Sequence, residues 1–599
     1  MDSNKYNLQN PPISSILSWI RDGDIAIPEI QRPFVWETSK VRDLMDSLYQ
    51  GFPIGYIITW KNPNVRLKDG STSEGKKVLI DGQQRITALT AAIAGQMVVN
   101  KNYEKKRIKI AFHPSKEKFE VFTPFIAKDP EWIADISEAL GQGGSYSFIT
   151  GYFDKNPGVD KDKVSKNLDR LFSLSQKQIG LIELSGDLTI DVVTEIFIRI
   201  NNQGVKLTQA DFAMSKIAAD TKYGGTELRK AIDYFCHLAK APEDYLTITE
   251  GDKEFAKSPY RNSISWLKNE TDDLYDPSYS DLLRVAFVGE FRRGKFSDLV
   301  SLLSGRNFET REFEEGIAEE TFLRLQKSVL ESMNETHFKR FLMIIRSAGF
   351  ITKRMLGSSI NVINFSYILY LHLRRSGVND ALIEKYVRKW FVFSKLTKRY
   401  SASVESTFDR DMKLIADRDF GEFIDSEERG GLSDAFWEVA LPERLNTYGA
   451  GGGALFQTFL AAQVKAGDMG FLSTDINVES MLRHRGDIHH LFPKKYLVKE
   501  GMNKSMYNQL ANYVYMQQEV NIKVSDAPPN EYFGKVLEQC RGGKLVFGGI
   551  NSEEQLLKNL EQNAIPKDIL EMNSTDYPKF LELRRKLMAQ KMKEYYFSL

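Results

Sequence analysis

From Lys161 to roughly Pro442 the apolar residues recur mostly at helical spacing, and this pattern narrows the fold more than any other feature of the chain. Val193, Ile196, Phe197 and Ile200 form one stripe. Thr208 and Asp211 resemble a capping box, with Leu207 and Phe212 placed to staple it. Phe338 to Ile351 and Asn361 to Arg374 are longer amphipathic stretches. The middle of the chain therefore reads as a helical region. Composition supports a folded chain: 42% of residues are hydrophobic and 27% charged, which excludes disordered, collagen-like and coiled-coil classes. At ~100–200 residues per domain, a chain of this length holds about three to five domains.

The first ~110 residues read differently, as mixed α and β. Ser39 to Gln50 carries Val41, Leu44, Met45 and Leu48 as a helical stripe, and Gly51 ends it. Ile54 to Trp60 is β-branched and aromatic, so it reads as a strand. Lys61 to Lys77 is a polar loop. Val78 to Ile80 is a short buried strand, followed at once by a helix with Ile86, Leu89 and Ile93 in register and Gly95 as its stop. Near the other end, Gly449 to Gly453 is the best linker or hinge candidate, because glycines this dense weaken helix and strand alike. A helix from Ala454 to Lys465, a histidine cluster and a helix-rich tail ending in the basic run Leu581 to Tyr596 follow.

Charge and cysteine usage bound the function. Lys plus Arg (81) nearly balances Asp plus Glu (80), which rules out a globally basic nucleic-acid binder but not a local basic groove. Two cysteines, Cys236 and Cys540, build neither a disulfide framework nor a cysteine zinc site, which suits a reducing compartment. No run approaches the ~18–20 apolar residues of a membrane span, and the polar start has no signal-peptide core. The expectation is a cytoplasmic protein with no membrane partner.

Three of the seven histidines fall between His484 and His490, within the string Asp487-Ile-His-His-Leu-Phe-Pro493. Asn512 and Asn521 lie downstream. Phosphodiester hydrolysis needs an activated water, and a neutral histidine can supply the base near pH 7. The leaving oxygen needs charge neutralisation, which a divalent ion provides as a Lewis acid. Adjacent histidines on a strand point to opposite faces, so one could hold metal while the other addresses water. Two exposed histidines on an ordinary strand or helix are the alternative. The string resembles an HNH endonuclease site of the ββα-metal fold. That resemblance implies His489 as metal ligand, His490 as general base, Asn512 as the residue that orients the loop and Asn521 as second ligand. Because Asn, not His, stands last, the implied ion is Mg²⁺ or Mn²⁺ rather than zinc. His484 is left as a solvated or DNA-facing side chain. Asp487 is either a partner of a histidine or a simple turn residue.

At the other end, Ile80-Asp-Gly-Gln-Gln-Arg-Ile86 spans a strand-to-helix junction. Asp81 is placed to cap the helix, with Gln84 reaching back. Gly82, Gln83, Gln84 and Arg85 then fill a first turn whose free N–H groups suit an anion, and Arg85 adds a planar fork for phosphate. Ile27-Pro-Glu-Ile-Gln-Arg-Pro-Phe-Val-Trp36 brings Glu29, Gln31 and Arg32, and Phe197-Ile-Arg-Ile-Asn-Asn-Gln-Gly204 brings Asn201. Together these strings resemble the N-terminal domain of GmrSD-type, modification-dependent type IV restriction endonucleases of the BrxU- and SspE-like kind. The other half of that family carries the His-His-x-Phe-Pro string.

The resemblance implies an α+β multidomain chain, predominantly helical: a ParB/sulfiredoxin-like nucleotide-binding domain over 1–225, a helical middle region over 226–445 and an HNH domain over 446–599. Asp81, Gly82, Gln83, Gln84 and Arg85 would hold a nucleoside triphosphate (ATP, GTP or another), with Gln31, Arg32 and Asn201 near them. Asp81 would position metal or water. The partner would be modified phage DNA, glucosylated or phosphorothioated, and a homodimer would suit double-strand cutting. The rival classes are a nucleotide-switched DNA-binding regulator and a partner-dependent NTPase, each with a degenerate nuclease end.

Three further signals carry less. Gly289 to Lys295 satisfies the first part of a P-loop, but Phe296 stands where Ser or Thr is required, so a basic turn is the better reading. In Arg388 to Tyr400, Trp390, Phe391 and Phe393 read as helix core with basic residues reaching outward, rather than as a base-stacking platform. Arg584, Arg585, Lys586, Lys591 and Lys593 could follow phosphates or form a solvated helix face.

Overall fold

The computed structural model describes residues 5–26, 34, 36–61, 77–99, 105–141, 146–186, 188, 196, 209–220, 222–312, 314–357, 359–449 and 453–599. The chain is predominantly helical with several small sheets. It forms two compact units, Met1–Thr226 and Glu227–Leu599. The stretches 227–445 and 446–599 share the second unit. Among the described residues, no helix is long and apolar enough to cross a membrane.

The first unit is organised by a five-stranded sheet in the order Tyr6–Gln9, Gly180–Leu184, Tyr56–Lys61, Lys77–Asp81, Ile25–Ala26. Pairings alternate antiparallel and parallel across it, and a register shift sits between Ile58 and Thr59. Period-2 alternation explains why these strands read as apolar runs: both faces are covered. Ile57 and Leu79 join the main core with Val41, Leu44, Met45, Leu48, Ile86 and Leu89. Ile58, Trp60 and Ile80 join a second, smaller cluster with Leu184. The helix Thr38–Gln50 ends at Gly51 in the left-handed region, as its sequence predicts. The helix Gln83–Ile93 starts directly after the strand Lys77–Asp81. The stripe Val193 to Ile200 is described only at Ile196, and the loop at 62–76 lies outside the described residues, as does Thr208 of the expected capping box.

The second unit packs helices around Ile360–Arg375, whose residues Val362 to Leu371 are all buried. A helix that is apolar on every side belongs at the centre of a bundle. Its one buried amide is satisfied: Asn364 donates to Asp281 (2.7 Å) and accepts from the Tyr275 hydroxyl (2.7 Å). The helix Asp380–Thr397 buries Trp390, Phe391 and Phe393, which bears out the core reading. Lys395 departs from it. Its side chain does not reach outward but is buried, donating to Ser359 Oγ (2.9 Å) and to the carbonyls of Met355 and Leu356. The helices Ala454–Ala466 and Tyr577–Phe597 pack against each other behind the histidine strand.

Candidate active site

His489 and His490 close the strand Gly486–His490, which pairs antiparallel with Tyr513–Gln517. The helix Gln518–Val524 follows the second strand without a break and packs on both. The local order is therefore strand, strand, helix. His489 stands opposite Val514 and His490 opposite Tyr513, so the two rings leave the strand on opposite faces at its end. Asp487 lies within the strand opposite Met516, not in a turn. His484 is exposed.

The loop after the pair is held by Asn512, which is fully buried. Its Oδ1 accepts from the Phe492 N–H (2.8 Å), and its Nδ2 donates to the carbonyls of Phe492 and Tyr507 (3.1 Å each). Its own carbonyl accepts from Leu491 N (2.8 Å). Tyr532 donates to the Leu491 carbonyl (3.0 Å), and Phe492 packs between Tyr577 and Phe580. The backbone leading into Pro493 thus has little freedom.

His490 is half-buried, with its ring against Tyr513 (5.0 Å between centroids). Burial pushes its imidazole below the ordinary histidine range. The hydrogen bond from Nε2 to Asn508 Oδ1 (2.9 Å) opposes that shift, and the nearby charge of Lys494 adds to it. Asn521 is half-buried on that helix, between the buried Val520 and Val524 in sequence. Among the described residues, no group of three His, Cys, Asp or Glu could hold a metal ion. The donors on hand are an imidazole and an amide oxygen. They fit a hard divalent ion that takes the rest of its shell from water and phosphate, and not a closed zinc site.

Arg584 corrects the reading of the C-terminal basic run. It neither follows phosphates nor faces solvent: it is fully buried, donating to the carbonyls of Ala511 (2.7 Å) and Tyr513 (2.8 Å), on either side of Asn512. Burial without a carboxylate brings its guanidinium down to about 9. Lys586, Lys591 and Lys593 pair with Glu582, Asp468 and Asp434. Sequence periodicity held no sign of Asn508 or Lys494, because neither repeats or stands in a recognisable motif; Tyr532 closes the string Pro528 to Tyr532 downstream of the histidines, but nothing there marks its bond to Leu491.

In the first unit, Asp81 closes its strand and does not cap the following helix. The N-cap is Gly82 at φ 99°, without a side-chain cap. A Cβ on Gly82 would stand 3.2 Å from Ile57 Cγ1 and 3.3 Å from its Cα, so glycine is required for the close turn. The helical ladder begins only at Ile86 N to Gly82 O (2.9 Å), which leaves the N–H groups of the first turn outside it. Gln83 is 7% exposed, and its Oε1 has no hydrogen-bond partner among the described residues. Arg85 lies against Gly55 and donates from Nη1 to the Tyr56 carbonyl (2.5 Å), so part of its fork is already used. Burial lowers its pKa and Asp81 opposes that. Gln31, Arg32 and Asn201 lie outside the described residues, as does Glu29.

Residues 13–218 match the family model of the GmrSD restriction endonuclease, N-terminal domain. The matched segment carries Asp81 to Arg85 and ends well before the histidine strand. The chain is also similar to uncharacterized protein MJ0686 of Methanocaldococcus jannaschii, at 20% identity over 639 residues, covering 96% of each chain. The GmrSD match supports a restriction-endonuclease type of function with DNA as substrate. The P-loop-like segment is no phosphate site: Gly289 is inside the helix Tyr279–Phe291, Phe296 is buried, and Arg293 pairs with Asp298.

Proposed function

We propose that this chain is a nucleoside-triphosphate-regulated, divalent-metal-dependent DNA endonuclease that cuts or nicks modified DNA in anti-phage defence. The observation that carries the reading is the buried Asn512 clamp, which holds the end of the histidine strand in a strand–strand–helix unit. In this reading His490 takes the proton of the attacking water, and its lowered pKa keeps it neutral and able to do so. Asn512 fixes the loop that carries it. His489 and Asn521 hold Mg²⁺ or Mn²⁺, which when bound neutralises charge on the phosphate and leaving oxygen. In the first unit, the N-terminal turn of Gln83–Ile93 offers its N–H groups to phosphate, and Gln83 Oε1 offers an acceptor to a nucleotide hydroxyl or amine.

The test is cleavage of matched unmodified, glucosylated and phosphorothioated DNAs with Mg²⁺ or Mn²⁺, with and without nucleotide, wild type beside His490→Ala. Cleavage of one modified DNA, lost in the variant while DNA binding stays, is the expected result. Equal cleavage by the variant refutes the role of His490. Nucleotide turnover with no cleavage of any DNA favours the nucleotide-switched regulator.

A further inference from the structure

We propose that Asn508 is a positioning residue that fixes the tautomer of His490 and thereby makes Nδ1 its proton-accepting atom. The consequence for catalysis rests on the nuclease reading above; the tautomer itself stands on geometry. His490 Nε2 lies 2.9 Å from Asn508 Oδ1. An amide oxygen only accepts, so the hydrogen of this bond belongs to Nε2. A neutral imidazole carries one N–H, so its lone pair is then on Nδ1, the nitrogen turned away from Asn508. The ring cannot easily exchange the two nitrogens by flipping, because Tyr513 (5.0 Å) and Tyr507 (6.2 Å) flank it.

Asn508 is itself anchored through its backbone. Its N–H donates to the Lys504 carbonyl (3.2 Å), and its carbonyl accepts from Gly449 N (3.1 Å). Thr447 accepts from Leu510 N (2.9 Å), and Tyr448 bridges to Gln509. The segment 447–449 therefore lies along 508–510, and it sets the height at which the Asn508 amide meets the imidazole. Asn512 and Asn508 divide the work. The first holds the loop beyond the strand, and the second selects the working nitrogen of the ring.

The experiment uses the full chain with ¹⁵N-labelled histidine, metal-free and at one neutral pH. The seven histidines are resolved by long-range ¹H–¹⁵N correlation, and His490 is assigned from its loss in His490→Ala. The expected pattern is a protonated Nε2 and an unprotonated Nδ1. Asn508→Ala should produce a mixture or the reverse tautomer, whereas Asn508→Asp, which keeps an acceptor in place, should retain Nε2–H. On a cleaved DNA, Asn508→Ala should lower kcat about 10–100-fold with KM within about twofold, the size typical for a group that orients a working ligand. A protonated Nδ1 in the wild type, or an Asn508→Ala tautomer identical to wild type, overturns the proposal. If no DNA is cut but Nε2–H is present and lost in Asn508→Ala, the tautomer assignment is upheld and the nuclease reading falls.

Discussion

Replacing Asn512 with alanine tests whether the histidine loop is held by hydrogen bonds or simply by shape. Truncation removes three bonds at once: it leaves the Phe492 N–H and carbonyl without their partner, and the Tyr507 carbonyl with only the longer bond from the Tyr577 hydroxyl (3.4 Å). Each buried group left unsatisfied costs about 1–3 kcal/mol. Tyr532 and Arg584 continue to hold the neighbouring carbonyls of Leu491, Ala511 and Tyr513, so the loss is confined to these three groups. Partial rescue by water sets the expected total at about 3–5 kcal/mol. Hydrogen exchange read by mass spectrometry on peptides spanning Phe492 and Tyr507 is the suitable assay, because it reports local opening. A cost of 3 kcal/mol corresponds to roughly a hundredfold faster exchange there. Asn512→Asp separates the two explanations: it has the same shape, but it sets a carboxylate oxygen against two carbonyls and should protect no better than alanine. Exchange slowed to the wild-type rate in Asn512→Asp, or a loss below about 1 kcal/mol in Asn512→Ala, would refute the hydrogen-bond account.

Two other outcomes follow from residues elsewhere. Gly82→Ala places a Cβ at positive φ against the Ile57 backbone and should cost about 1–3 kcal/mol and weaken binding of a fluorescent nucleoside triphosphate; Gly141→Ala, where nothing lies within 4 Å, should leave both unchanged. Burial brings Lys395 from 10.5 down to about 7, so between those values the unfolded chain binds the extra proton and stability rises with pH. Below pH 7 the full penalty of about 3–5 kcal/mol is present. Lys395→Met should flatten the rise in denaturation midpoint between pH 7 and 10 relative to wild type, and an unchanged slope would show that Lys395 does not cause it.

Much of the fold could be read from local pattern. The stripe Val41 to Leu48 and the stop at Gly51 act within one helix, so a single sequence suffices to find them. The histidine strand was less legible, because Asp487 to Pro493 shows no alternation that separates strand from helix, and the order of Asn512 and Asn521 had meaning only through a family resemblance. What could not be read depends on partners far along the chain. Arg584 carries the same sequence signature as the exposed Lys586, and only the carbonyls of Ala511 and Tyr513 distinguish them. Lys395 looked solvated because charge alone was visible, whereas the acceptors around it come from residues 355 to 359. Asp81 looked like a cap because its spacing permits one, and the left-handed turn at Gly82 moved the helix start past it.

The helix Tyr577–Phe597 reaches well beyond the site it supports. At its start, Phe580 and Arg584 grip the histidine loop; at its end, Tyr595 donates to the Ala348 carbonyl (2.5 Å) and Tyr596 to Glu428 (2.6 Å) in the helical bundle. It comes after both strands of the hairpin in the chain, so a growing polypeptide makes the histidines well before the piece that braces them. Until that helix has emerged, the carbonyls of Ala511 and Tyr513 lack their guanidinium donor. A ribosome-bound chain would therefore carry the two histidines without their brace until synthesis has passed Arg584.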